Sequence, residues 1–194
     1  MSADPLDRLT PMEYLALERV SEIKSEYLDG EMYAMTGASF AHNRISANLI
    51  RLLGNALRVG PCQVATSDQR VKVNATGLYT YPDVVVVCGE PKFEEAQTPD
   101  TLLNPSLIVE VLSPSTEAAD RGRKFEHYRA IPSLREVMFV AQAEPLAEHY
   151  LRQQDGRWLL TAVQGLEGNV ELPTLKVALP LAEIYERVLP QAGS

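Results

Sequence analysis

The sequence predicts a mixed α/β domain, an α+β arrangement in which a central mixed sheet is flanked by helices. Two apolar runs, Val84–Val87 and Leu107–Leu112, are continuous rather than alternating, which is typical of strands that are covered on both faces. A helical pattern separates the second run from a further strand over Arg135–Val140. This strand–helix–strand order favours a parallel pair that is joined by a crossover.

Two helices are predicted ahead of the sheet. Thr10-Pro11-Met12-Glu13 combines a capping box with proline at the first helical position, so a short helix should run to about Val20. Ser39 can cap a longer helix to about Val59, because apolar residues recur there at helical spacing. Gly60-Pro61 ends this second helix.

Turn residues and apolar patterns predict the remaining elements. Asp29-Gly30 and Asp155-Gly156 each lie between two strand-like segments and are strong hairpin signals. The other predicted elements are strands over Arg70–Asn74 and Tyr79–Cys88, a loop over Gly89–Pro105, a helix from Thr116 to about Ala130 and a last helix over Pro180–Val188.

The length and composition favour a single domain over 1–194. Of the 194 residues, 45% are hydrophobic and 23% are charged, which is ordinary for a globular protein. We divide the predicted domain into an N-terminal helix and hairpin over 10–36, a core over 39–140, and a C-terminal hairpin and helix over 146–188.

The net charge argues against a general binder of polyanions. There are 18 Lys and Arg against 26 Asp and Glu, which gives a net charge of −8. One segment differs from the rest: between Asp120 and Arg135 there are five cationic residues and only two acidic ones. A local basic surface is therefore expected on the helix that follows the Leu107–Leu112 strand.

The two cysteines, Cys62 and Cys88, have no Cys-x-x-Cys spacing. We therefore expect neither a disulfide framework nor a zinc ribbon, and a reducing, cytoplasmic location. The segment Met1–Arg8 has no apolar region typical of a signal peptide, and no apolar run is long enough to span a membrane.

Two acidic residues, Asp83 and Glu110, lie where the apolar strand pattern does not predict them. Asp83 follows Pro82 at the start of one buried run, and Glu110 lies inside the other. A buried carboxylate is costly unless it is paired or binds a metal, and two of them on neighbouring strands could bind one Mg²⁺ ion. Alternatively, Asp83 satisfies backbone groups at a strand start, and Glu110 pairs with an arginine or points to solvent.

Several enzyme classes are disfavoured by missing motifs. The sequence contains no Gly-x-Ser-x-Gly, Walker-type or Gly-x-Gly-x-x-Gly segment, so we expect no nucleotide cofactor. The three histidines, His42, His127 and His149, do not have the spacing of zinc ligands with one another or with a cysteine.

Seven parts of the sequence match a known pattern when taken together: Ser67–Val73, Tyr81–Val87, Val109–Thr116, Asp120–Lys124 with Tyr128, Asp29–Glu31, the His42 helix and the closing Leu172–Leu179. Together they resemble the Uma-two family of restriction-endonuclease-like proteins in the PD-(D/E)xK nuclease superfamily. The resemblance covers about Thr10 to Val188.

The resemblance implies a restriction-endonuclease-like core and a metal-dependent endonuclease that acts on DNA. Asp83 and Glu110 would hold Mg²⁺ or Mn²⁺ against the scissile phosphate. The lysine of the superfamily usually stands two residues after the glutamate, and that position is Leu112 here. Lys124, on the following helix, is the matching residue, and we expect it to orient the attacking water.

Four further residues are candidates for the periphery of the site. Glu31 could be a third acid near the metal, and its alternative is a plain hairpin residue. His42 could line the substrate entrance, and Arg70 could face substrate phosphates or Asp83. Tyr128 is most simply a packing residue one turn beyond Lys124.

Two alternatives to a DNA nuclease stay open at this point. One is a non-catalytic binding or assembly protein that keeps the nuclease fold, and Leu112 in place of a lysine favours it. The other is a structural role for both carboxylates. We also expect a homodimer, because the Arg135–Val140 strand and the late hairpin offer more apolar surface than one small sheet must cover.

Overall fold

Short strands dominate the chain, of which the computed structural model describes residues 8–95, 97–113 and 120–188. The strands in these ranges are β1 (Ser25–Leu28), β2 (Glu31–Ala34), β3 (Cys62–Thr66), β4 (Arg70–Val73), β5 (Leu78–Thr80), β6 (Val84–Cys88), β7 (Phe93–Glu95), β8 (Thr98–Leu102), β9 (Leu107–Leu112), β10 (Glu136–Ala141), β11 (Leu146–Arg152), β12 (Trp158–Gln164), β13 (Asn169–Leu172) and β14 (Val177–Pro180). The helices are α1 (Pro11–Glu18), α2 (Phe40–Ala56), α3 (Phe125–Tyr128) and α4 (Leu181–Ile184), and a π-helical turn over Asp120–Lys124 leads directly into α3.

The central sheet has six strands in the order β12-β11-β10-β9-β6-β3. β9 and β10 are parallel, and every other neighbouring pair in this sheet is antiparallel. The predicted parallel crossover is therefore confirmed. All six residues of β9 are buried, as the continuous apolar run predicts for a strand covered on both faces.

A second six-stranded sheet has the order β2-β1-β5-β4-β8-β7, and a prediction fails here. The expected single strand over Tyr79–Cys88 is two strands, because β5 belongs to the second sheet and β6 to the central one. Pro82 lies between them; its ring removes a backbone donor and restricts Tyr81, so ladder pairing is interrupted there. The expected loop over Gly89–Pro105 contains β7 and β8.

Two apolar layers cover the central sheet. On one face, Ile45, Leu49 and Leu53 of α2 are fully buried in a cluster that also contains residues of the β13–β14 hairpin and α4. On the other face, Tyr128 of α3 packs in a cluster with strands of both large sheets, including Val71 of β4. The central sheet therefore lies between α2 on one side and α3 with the second sheet on the other.

The predicted caps and tight turns are confirmed, whereas helix ends differ by a few residues. Thr10 and Glu13 form the capping box of α1, and the Ser39 side chain accepts a hydrogen bond from the His42 N–H at 3.1 Å. Both Asp-Gly hairpins are present, at β1–β2 and β11–β12. α1, α2 and α4 end earlier than expected, and the predicted cap Thr116 lies outside the described residues.

The two cysteines form a disulfide, although their spacing in the sequence argues against a disulfide framework. Cys62 in β3 and Cys88 in β6 are direct partners in the antiparallel ladder, and a disulfide joins them. The strand register brings the two side chains together, so the spacing in the sequence contains no signal for this bond. No helix among the described residues has the length and apolar character needed to cross a membrane.

Tyr185, just after α4, ties that helix to the end of the central sheet. Its hydroxyl donates to the Ala141 carbonyl at 2.5 Å and accepts from the Leu146 N–H at 3.2 Å. Burial raises the pKa of Tyr185 to about 12. The folded protein therefore keeps the phenol neutral at pH values where an unfolded chain already ionises it.

We expect Tyr185→Phe to be less stable than the parent at pH 8, because two partly buried backbone groups lose a partner. The difference in free energy of unfolding between the two proteins should narrow by about 1 kcal/mol between pH 9 and pH 11. Above pH 10 the unfolded parent ionises Tyr185 while the folded parent does not, so the parent loses stability there, whereas the phenylalanine variant has no phenol to ionise. Urea unfolding at several pH values measures both effects. A stability difference between parent and variant that stays constant from pH 8 to pH 11 would contradict the raised pKa of Tyr185.

Candidate functional site

Asp83 and Glu110 come from two neighbouring strands, β6 and β9, of the central sheet. These strands are antiparallel, and Val84 pairs with Val109. Extending this register by one residue would place Asp83 opposite Glu110. Asp83 directly precedes β6, so it stands at the end of the sheet, whereas Glu110 is inside β9. The two carboxylates that are predicted to act together therefore lie on neighbouring strands.

Glu110 is a buried acid in an apolar strand, with 3% of its surface exposed. Side chains alternate along β9, so Glu110 shares a face with Ile108 and Leu112 and points towards α3. The Tyr128 hydroxyl donates to Glu110 Oε1 at 2.5 Å, and Lys124 Nζ lies 3.5 Å from the same oxygen. A phenol and an ammonium thus compensate the burial of this carboxylate.

Lys124 connects the two large sheets. Its Nζ is 2.9 Å from Glu26 Oε1 on β1 of the second sheet, in addition to its contact with Glu110 on the central sheet. Thr80 of β5 donates to the same oxygen of Glu26 at 2.5 Å. Lys124 is the last residue of the π-helical turn, a conformation that occurs frequently at functional sites.

Asp83 is held from two sides. Its Oδ2 accepts a hydrogen bond from the Val111 N–H at 2.7 Å, and His42 Nε2 lies 3.2 Å from the same oxygen. His42 is in the first turn of α2, and the neighbouring Ser39 hydroxyl donates to Gln142 Oε1 at 2.7 Å, beyond the end of β10. The N-terminus of α2 is therefore fixed beside Asp83.

Burial and the adjacent Glu110 carboxylate raise the pKa of Tyr128 well above that of a free phenol. Tyr128 is fully buried, and an ionised phenol beside a carboxylate would put two like charges in an apolar region. It therefore stays neutral and keeps its proton for Glu110. The expectation that Tyr128 only packs is incomplete, because its hydroxyl is a partner of the central acid.

Arg70 is not part of this site. It is 3% exposed, and its guanidinium contacts the Tyr81 hydroxyl at 2.9 Å, Thr101 Oγ1 at 2.9 Å and Asp100 Oδ2 at 2.8 Å. These residues belong to the second sheet and its connections, so the alternative that Arg70 faces Asp83 is wrong. Instead, this arginine balances the charge of Asp100 within the second sheet.

Glu31 contacts neither Asp83 nor Glu110 in the bond described for it, and its partner is a neighbouring surface residue. It is exposed in β2, where it accepts a hydrogen bond from the Tyr33 hydroxyl at 2.6 Å. The acid that the hairpin does bring to Lys124 is Glu26, which sequence reasoning missed. The hairpin pattern places Glu26 in a strand, but nothing in the pattern shows that a lysine much later in the chain packs against it.

A metal bound here would need ligands from outside the protein. Among the described residues, no three or more His, Cys, Asp or Glu side chains are grouped so that they could hold a metal ion. Asp83 and Glu110 offer two carboxylates on adjacent strands. Mg²⁺ is commonly held by one or two carboxylates together with waters and substrate phosphate oxygens, so this donor set fits a substrate-completed site.

Comparison with known proteins places the chain in a family. The model of the Uma2 family, described as "Putative restriction endonuclease", matches residues 11–182. Two proteins of Synechocystis sp. are similar along most of their length. The uncharacterized protein sll1609 is 39% identical over 87% of this chain and 95% of its own, and the uncharacterized protein slr1290 is 38% identical over 93% of each.

A solved structure shows the same fold. A putative nuclease belonging to DUF820 from Anabaena variabilis matches with a TM-score of 0.75, covering 93% of this chain and 99% of that one at 16% identity. The chain thus has the restriction-endonuclease-like fold. By the family match and the relatives, it belongs to the Uma2 family.

Because the Tyr128–Glu110 contact is buried and the Tyr33–Glu31 contact is exposed, we expect loss of the two hydroxyls to affect stability unequally. Tyr128→Phe should lower the free energy of unfolding by about 1.5–3 kcal/mol, because a buried carboxylate loses a charge-assisted hydrogen bond. Tyr33→Phe removes a similar bond to Glu31 at the surface, so it should change stability by no more than about 0.5 kcal/mol. Urea unfolding of both variants measures the difference, and equal effects would contradict the role given to Tyr128.

Proposed function

We propose that this protein is a metal-dependent endonuclease that hydrolyses phosphodiester bonds of DNA. The observation that carries the proposal is the contact of Lys124 with Glu110, since the two come from different elements and their side chains are only 18% and 4% exposed. Membership of a family described as restriction endonucleases supports a nuclease. The restriction-endonuclease-like fold agrees with this chemistry.

Asp83 and Glu110 would hold Mg²⁺ or Mn²⁺, which supplies Lewis-acid polarisation of the phosphate and a more acidic bound water. His42 and the Val111 N–H orient Asp83, and Tyr128 orients Glu110. In this proposal His42 and Tyr128 are positioning residues, because each contacts a carboxylate. Their contacts keep both acids in place before substrate arrives.

Lys124 would act on the substrate directly. Its ammonium stands beside Glu110, where it can orient an attacking water and stabilise negative charge that develops on the phosphate. Glu26 holds the ammonium from the other side at 2.9 Å. We assign Glu26 as a positioning residue that holds the Lys124 ammonium beside Glu110.

The helical segment that carries Lys124 also supplies cations for the DNA backbone. Arg123 and Arg129 are exposed, whereas the guanidinium of Arg121 is bonded to Glu148. Backbone phosphates are bound chiefly by clustered Lys and Arg, and their affinity falls as salt rises. On a chain with a net charge of −8, this local concentration of arginine gives DNA a preferred side from which to approach.

The nuclease proposal predicts loss of cleavage from three single changes. Asp83→Asn, Glu110→Gln and Lys124→Met should each lower cleavage of plasmid DNA in Mg²⁺ or Mn²⁺ by at least about 100-fold, because each removes a charge that the reaction uses. The matched control is Glu31→Gln, which changes an exposed acid away from Asp83, Glu110 and Lys124. This variant should cleave DNA like the parent. Circular dichroism of each variant shows whether the fold is kept.

Equal cleavage by all four variants would reject the site. DNA binding by the parent without any cleavage in either metal would favour the alternative of a non-catalytic protein with a nuclease fold. Parallel assays on RNA and on single-stranded DNA would show whether duplex DNA is the preferred substrate.

Metal binding can be measured separately from cleavage. Isothermal titration of Mn²⁺ should show saturable binding to the parent in the presence of a non-cleavable DNA, and loss of that binding in Glu110→Gln. Glu31→Gln should bind like the parent, because it keeps both proposed ligands. Unchanged binding in Glu110→Gln would show that the metal is held elsewhere.

A further inference from the structure

The outer strand of the central sheet, β12, lacks the features that usually protect a sheet edge. In the part of the chain that the structure describes, β12 pairs with β11 on one side and with no strand on the other. It has seven residues, Trp-Leu-Leu-Thr-Ala-Val-Gln, with no charge and no proline. Leu159 and Leu160 are 54% and 46% exposed. Natural edges are normally shortened, charged or interrupted by proline, so this edge is suited to pairing.

The ladder with β11 determines which backbone groups face outward. The Gln153 N–H donates to the Arg157 carbonyl at 2.7 Å, and the Gly165 N–H donates to the Pro145 carbonyl at 2.8 Å. Hydrogen-bonded pairs alternate along an antiparallel ladder, so the odd-numbered residues of β12 direct their backbone groups towards β11. The even-numbered residues direct theirs to the open side, and these are Trp158, Leu160, Ala162 and Gln164.

We propose that a second copy of this chain pairs with β12, antiparallel and about a two-fold axis at Thr161. In this register Leu160 lies opposite Ala162 of the second copy, and Trp158 lies opposite Gln164. Every outward N–H and C=O of both strands then has a partner, and Thr161 faces its own copy in a non-hydrogen-bonded pair. The two central sheets become one continuous twelve-stranded sheet.

The charges at the two ends of β12 favour this arrangement. The strand itself is uncharged, so no like charges are brought together along the seven paired positions. At one end the exposed Arg157 pairs with Asp155, and Arg152, which lies over Trp158, adds a further cation. At the other end Glu144 and Glu167 are exposed. The two-fold axis brings the end with the arginines of each copy to the acidic end of its partner. This matters for a chain with a net charge of −8, whose copies otherwise repel one another.

This interface also corrects the reasoning behind the expected homodimer. Of the two elements offered as apolar surface, the Arg135–Val140 strand corresponds to β10, which is buried between β9 and β11. The late hairpin, β11–β12, does leave apolar residues exposed. The proposed interface does not depend on the nuclease chemistry, so either can fail without the other.

The first test is the mass of the protein in solution. Sedimentation equilibrium of the full chain at micromolar concentration should give twice the monomer mass for the parent. Thr161→Lys should give the monomer, because it places two ammonium groups opposite each other at the axis. The matched control is Gln63→Lys on β3, an exposed residue on the opposite edge of the same sheet, and it should stay dimeric. A monomeric parent, or a dimeric Thr161→Lys, would overturn the proposal.

The second test measures the register and does not depend on a destabilising change. Both natural cysteines are joined in a disulfide, so Thr161→Cys introduces a single free thiol. Opposed residues of a non-hydrogen-bonded pair lie about 4.5 Å apart at Cα, within disulfide range, and mild oxidation should give a cross-linked dimer. Leu159→Cys is the control, because its two copies would lie about 13 Å apart along the strands. No cross-link at 161, or equal cross-linking at 159, would overturn the register.

Discussion

The ammonium of Lys124 lies between carboxylates from different sheets, and the arrangement of the whole site depends on that position. Glu110 is buried in the middle of an apolar strand, where an uncompensated charge would cost several kcal/mol. The helical segment over 120–128 must therefore pack directly above β9, so that Lys124 and Tyr128 both reach the acid. Lys124 also contacts Glu26 of β1, so the ammonium that compensates Glu110 links the β1–β2 hairpin to the central sheet as well.

The position of Asp83 follows from the way the chain changes sheets. β5 ends in the second sheet and β6 begins in the central one, and Pro82-Asp83 occupies the connection. A residue at the start of a strand can turn its carboxylate back over the sheet end, and Asp83 uses this freedom to accept the Val111 N–H. The break in the strand thus places an acid at the end of β6, where it bonds to Val111 of β9, without burying a second charge inside the sheet.

Local patterns predict much of this fold, and long-range contacts account for what they miss. The caps at Thr10 and Ser39 and the parallel crossover are readable because each depends on neighbouring residues or on a simple topological rule. The split at Pro82 is harder to read, since continuous apolar residues look alike in one strand or two. The Cys62–Cys88 bond and the contact of Glu26 with Lys124 depend on register and packing, which no local spacing encodes.

Leu112 stands where the superfamily pattern usually has a lysine, and the packing around β9 explains why a leucine fits there. Leu112 is 3% exposed and belongs to the apolar cluster that lies between the central sheet and α3. A lysine at this position would put a long cationic side chain into that cluster, where it would need a further partner or an opening to solvent. Supplying the cation from Lys124 keeps β9 apolar around Glu110 and brings the charge in from the protein's surface layer. A lysine supplied from a helix is therefore compatible with a closed core, and Lys124 places a cation beside Glu110 although position 112 is a leucine.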